Sequence, residues 1–165
     1  MKKNIILAII ILSKSLSATA QTIKPADLKI LEGSWIGTLT YLDYKSNQPY
    51  TMPANTTFQQ SKDNPNIYLR SIGYSTEPHA NQKDSMIISK DGTMLDDFKI
   101  ISIKKLKDGS IEIIGEKMGE DGNDNKPATI RRTFTISSTL FINKKEVKFN
   151  GTNTWIVRHT YHFKK

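Results

Sequence analysis

The chain has 165 residues, no cysteine and a formal net charge of +8. Without cysteine it can hold no disulfide, carry no lipid on an N-terminal cysteine and perform no thiol chemistry. The basic excess is scattered and mostly lysine, not the clustered arginine that grips phosphate in pairs, so nucleic acid is not an expected partner.

The first twenty residues read as a secretory signal peptide. Lys2 and Lys3 precede an apolar run from Ile5 to Leu12, and Ala18-Thr19-Ala20 supplies an A-x-A end. The run is too short to span a membrane, which takes roughly 18 or more apolar residues, so no stable membrane insertion is expected once the signal is removed. The expected organisation is a signal over 1–20 and one domain over 21–165, exported to a periplasm or secreted. Removing Lys2, Lys3 and Lys14 leaves 21 basic residues against 16 acidic, an excess of +5. A domain this long buries roughly 68–70% of its unfolded surface, enough for a core without staples.

Pro25 to Leu31 is the expected helical turn, with Pro at its first position and Gly33 as a stop. From Ser34 onward, runs rich in Ile, Thr, Tyr, Phe and Trp alternate with turn clusters such as Lys90-Asp91-Gly92, Lys107-Asp108-Gly109 and Asn150-Gly151. Strands are expected near 34–43, 50–60, 67–74, 84–89, 94–105, 111–118, 128–137, 139–149 and 153–163. Short links between sequential antiparallel strands favour a meander, and closing the meander on itself removes its edges. The expected fold is all-β: a single closed antiparallel up-and-down barrel of about 8–10 strands behind a short N-terminal helical turn.

On the first strand, alternation sends Gly33, Trp35, Gly37, Leu39 and Tyr41 to one face. The glycines permit close backbone approach and a sharp bend, and the indole then plugs one end of the barrel. On the last strand, regular alternation would place Trp155, Val157, His159, Tyr161 and Phe163 on one face and Arg158 on the other. Arg158 is suited to stack over an indole and donate to carbonyls at the closed end.

A helical turn, Gly33-x-Trp35 on the first strand and Arg158 on the last together resemble the signature of the lipocalins and their calycin relatives. The whole chain resembles the small exported lipocalin-like proteins of the Bacteroidetes. That resemblance implies a barrel holding a small apolar or amphipathic ligand. The chain lacks the cysteines and the T-D-Y triplet of many lipocalins. The expected lining is Trp35, Leu39, Tyr41, Trp155, His159 and Tyr161, with Phe58, Tyr68 and Phe134 beside them. Binding would rest on apolar burial at about 25 cal/mol per Å². His159 and tyrosine hydroxyls would orient the ligand.

Two alternatives stand beside this. Gly33, Trp35 and Gly37 also resemble the opening of nitrobindin-like heme barrels, which implies heme held by His159 or His162. The third reading is a ligand-free barrel that meets another envelope protein through its loops or edges. The segment Gly119 to Arg132 reads as a long polar rim loop. Its Asp121-x-Asn123-x-Asn125 opens like a calcium loop, but Lys126 and Arg132 occupy the positions that need Gly and Glu. Asp96 and Asp97 are adjacent on an expected strand and so point apart unless the strand bulges. No catalytic motif and no metal site is identified, and the expected protein is not an enzyme.

Overall fold

The computed structural model describes residues 21–165 other than Tyr44. The expected signal over 1–20 lies outside the described residues. Helix α1 is one turn, Pro25–Leu28, and continues into a 3-10 turn at Lys29–Leu31. Ten strands follow: β1 Gly33–Leu42, β2 Pro49–Gln60, β3 Ile67–Gly73, β4 Gln82–Ile87, β5 Met94–Leu95, β6 Phe98–Lys105, β7 Ile111–Asp121, β8 Lys126–Ile136, β9 Leu140–Phe149 and β10 Ile156–Lys164. A 3-10 turn at Pro78–Ala80 links β3 to β4. Among the described residues no helix is long and apolar enough to cross a membrane.

All ten strands form one antiparallel sheet in the order β4-β3-β2-β1-β10-β9-β8-β7-β6-β5. The two ends of that series meet through a single bridge between Ile88 and Leu95. Around it Ser89 donates to Met94 O at 3.0 Å and Asp96 to Ile87 O at 2.7 Å. The result is a nearly closed barrel whose seam is thin, because β5 is two residues long.

The expected strand 94–105 breaks at Asp96, whose φ of 55° starts a two-residue turn between the paired Leu95 and Phe98. Asp96 and Asp97 therefore belong to a turn and not to a strand. The expected rim loop 119–132 is also mostly strand. β7 and β8 pair as far as Asp121 and Lys126, leaving four turn residues.

One end of the barrel is capped. The N-terminal turn lies across it, Trp35 Nε1 donates to Leu31 O at 2.7 Å, and Tyr68 Oη donates to Pro25 O at 2.7 Å. Beneath the cap Phe141 is the hub of an aromatic core. It stacks on Phe134 and Phe163, with centroids 6.5 and 6.0 Å away, and meets Phe58 and Trp35 edge-on. A smaller apolar cluster of Phe98, Ala128, Ile130 and Val147 lies further along β8 and β9, away from the cap.

The glycines of β1 have separable jobs. Gly33 has a φ of 104°, a left-handed value that a side chain resists. A Cβ on Gly37 would stand 2.0 Å from the carbonyl oxygen of His162, so only glycine lets β1 and β10 approach this closely.

Candidate functional site

The bulge in β10 decides which side chains enter the barrel. The pairing with β9 slips between Val157 and His159. A bulge puts two residues of one strand opposite one of its neighbour and resets the in–out alternation. Phe163, Tyr161 and His159 face inward along the strand, and Arg158 turns inward as well. Trp155 and Val157 are left on the outer surface.

Trp155 precedes β10 and is clamped outside, with the Arg131 guanidinium 3.9 Å above its ring and Lys148 Nζ at 5.1 Å. It does not line the interior, contrary to the reading from regular alternation. Arg158 is displaced too. Tyr41 pairs with His159, and Ile36 pairs with Lys164. Arg158 therefore lies about six residues, or roughly 20 Å, along the wall from Trp35. The cation over the Trp35 ring is Lys165, whose Nζ stands 4.8 Å from the centroid and donates to Ile30 O at 3.1 Å. Arg158 instead binds Asp121 at 2.6 Å near the uncapped end.

The other expected lining residues divide into two groups. Trp35, Phe58, Tyr68 and Phe134 are 1, 3, 0 and 3% exposed and fill the capped end as solid core. Leu39, Tyr41 and Tyr161 are partly buried and pack along the edge of that core. Tyr161 Oη and Tyr74 Oη lie 2.6 Å apart, and His159 sits edge-on to Tyr161.

Beyond these rings the interior is polar, and a cavity of about 310 Å³ opens there. Its position follows from the register. β4 pairs with β3 along its length, whereas on its other side the described contacts gather at its end, in the Ile88–Leu95 bridge and the Ile87–Asp96 hydrogen bonds. β6 pairs with β7 up to Glu116, so Lys117 to Asp121 have no partner on that side. The cavity lies between these two free edges, at the Asp96–Asp97 turn. Phe98, Ile130 and Phe134 form its apolar wall, while Arg132, Asn143 and Lys145 from β8 and β9 form its floor.

Ion pairs tie most of the charges together. Arg70 grips Asp84 with both arms, at 2.7 and 2.6 Å. Lys117 meets Asp97 at 2.5 Å, and Asp121 is shared by Lys145 and Arg158 at 2.6 Å each. Burial alone would push Asp121 up, but the hydrogen bonds and charges of Lys145 and Arg158 outweigh it and hold the carboxyl below its ordinary value. With both oxygens so engaged, Asp121 is not arranged as a calcium ligand. Asp96 accepts the Ile87 N–H at 2.8 Å, and burial raises its pKa.

Arg132 differs from the rest. It donates to Asn143 Oδ1 at 3.1 Å and meets His159 Nε2 at 2.8 Å, and among the described residues no carboxylate lies within ion-pair distance. Burial first, then the charges of Arg132 and Lys145, pushes His159 down to about 3. The imidazole is therefore neutral, and Nε2 serves as acceptor for the guanidinium.

This arrangement does not fit heme. The ring nitrogen facing the interior is committed to Arg132, and a guanidinium at hydrogen-bond distance opposes a bound iron cation. His162 is exposed on the outer face. The residues that shape the cavity floor were not among the expected lining. Their signal was present in the alternation, since Arg132 falls between Ile130 and Phe134, and Asn143 and Lys145 fall between Phe141 and Val147, at inward positions of otherwise apolar strands.

No protein-family model matches the chain, and no curated protein sequence matches it. Among solved structures it is similar to the one titled "Crystal Structure of Rv2717c from M. tuberculosis". The two share 10% sequence identity with a TM-score of 0.49, over 88% of this chain and 99% of the other.

Proposed function

We propose that the protein is an exported binding barrel that takes a small amphipathic molecule through the β4–β7 seam. The carrying observation is the cavity of about 310 Å³ lined by the apolar Phe98, Ile130 and Phe134 and, beside them, by Arg132, Asn143 and Lys145. Small-molecule sites of about 300–1,000 Å³ combine these features, with apolar surface supplying affinity and a few polar groups supplying orientation. The ligand sits beyond the aromatic core and not within it, since the rings at the capped end already fill their space.

Export is supported by the Lys2-Lys3 start, the Ile5–Leu12 run and the Ala18-x-Ala20 end. Binding is favoured over catalysis because Asp84, Asp97 and Asp121 are held by cations, which suits structural roles better than proton transfer.

The test is native mass spectrometry of protein isolated from the cells that make it. A bound species of low mass, released on denaturation, is the expected result. A bare chain mass together with a crystallographic interior closed to anything beyond a few waters would contradict the proposal.

A further inference from the structure

The interior cations and carboxylates around the cavity do not balance. Arg70, Lys117, Lys145 and Arg158 each bind a carboxylate, while among the described residues Arg132 has only the neutral Asn143 and His159 as hydrogen-bond partners. Among the described residues Arg70, Lys117, Lys145 and Arg158 share three carboxylates, Asp84, Asp97 and Asp121, and the fourth, Asp96, accepts from the Ile87 backbone N–H. Even a half-buried cation such as Arg132 is costly without a counter-charge close by, and such groups are normally paired. Placing one on a cavity floor leaves room for the missing charge to arrive with a ligand.

The surroundings fix what can arrive. Asn143 and His159 each accept from the Arg132 guanidinium, so the fork is held in place while its other N–H groups remain to donate. A planar carboxylate matches that fork with two parallel hydrogen bonds. Above the floor, Phe98, Ile130 and Phe134 offer apolar contact to whatever the carboxylate carries. Burial first and then the Arg70 charge weigh against the Arg132 cation and outweigh the support of the nearby Asp96 and Asp97, so an incoming anion at the guanidinium itself would relieve that penalty.

We infer that Arg132 is the anchor for a small organic carboxylate, whose charge it neutralises at the cavity floor while the apolar part rests on the Phe98–Ile130–Phe134 wall. This rests on the proposed binding function and names its ligand class.

The test is calorimetric titration of the protein, as isolated from the cells that make it, with hexanoate, with its uncharged analogue hexanamide and with inorganic phosphate. Hexanoate should bind at least about tenfold more tightly than hexanamide, the range of one charge-assisted hydrogen bond. Phosphate should bind weakly, because it has no apolar part. Arg132→Gln should abolish the preference for hexanoate over hexanamide, whereas Arg132→Lys should keep part of it.

Equal binding of hexanoate and hexanamide would overturn the carboxylate inference while leaving the binding barrel standing. Binding of none of the three probes would also overturn the inference, with native mass spectrometry deciding the wider reading separately. If Arg132→Gln does not fold, the comparison of the probes on the unsubstituted chain still decides.

Discussion

Lys165 and Trp35 show how a structural contact can be assembled from different residues than expected. The ammonium lies over the indole and also donates to Ile30 O, so it ties β10 to the N-terminal turn. Exposed cation–π contacts contribute about 0.5–1 kcal/mol, so Lys165→Ala should lower the melting temperature by a few degrees. In a Trp155→Phe background it should also shift the fluorescence of Trp35, while Arg158→Ala should not. A Trp35 shift on substituting Arg158 would contradict the placement of that side chain at the other end. Gly37 is the second decisive residue. Gly37→Ala drives a Cβ into the His162 carbonyl and should cost about 1–3 kcal/mol or more in chemical denaturation, the range of overpacking. An unchanged midpoint would mean the strands are further apart than described. Asp121 is the third, because Asp121→Ala removes the buried carboxylate that Lys145 and Arg158 share and should cost about 3–5 kcal/mol by the same measurement, the range for breaking a buried pair.

At the scale of elements, the thin seam is the feature with consequences. Strand β4 has one full neighbour, whereas β8 has two. Amides of 82–87 should therefore exchange with solvent well before those of 128–136, and hydrogen exchange read residue by residue checks this. Equal protection would mean that β5 closes the barrel firmly and the cavity has no side opening.

The elements also show what could be read in advance. The helical turn, the hairpin turns and most strands followed from Pro, Gly and alternation, because those signals are local. The β10 bulge left no such mark, since any residue can occupy it, and regular alternation then misassigned Trp155 and Arg158. The Asp96 turn was hidden for a similar reason, as a two-residue reversal fits inside an otherwise continuous apolar pattern. The floor residues were legible but unread. Arg132, Asn143 and Lys145 stand at inward positions, and a polar residue interrupting an inward apolar series is itself a cavity signal.

For the whole molecule, acid should reveal the half-buried imidazole of His159. His159 faces Arg132 from β8, Lys145 from β9, Arg70 from β3 and Asp121 from β7, and its pKa falls from 6.5 to about 3 on folding. The unfolded chain thus takes up this proton at a pH where the folded chain does not. Stability from this group is complete above 6.5 and declines as pH falls toward 3. Between pH 7.5 and 5 the loss should be roughly 1–2 kcal/mol. Asp96, with its raised pKa, acts in the opposite direction, so the difference between the unsubstituted chain and His159→Asn isolates the effect. A steeper loss in the parent than in His159→Asn is expected, and parallel curves would mean the imidazole is not buried beside Arg132.

The barrel is solid at its capped end and hollow where its charges gather, and the proposed ligand site is the hollow part. Nuclear magnetic resonance with ¹⁵N-labelled protein, titrated with hexanoate, measures this directly. Shifts concentrated at Ser85, Asp97, Phe98, Ile130, Arg132 and Asn143 are the expected result. Shifts confined to Trp35, Phe58, Phe141 and their neighbours, or to the outer surface around Trp155, would contradict it.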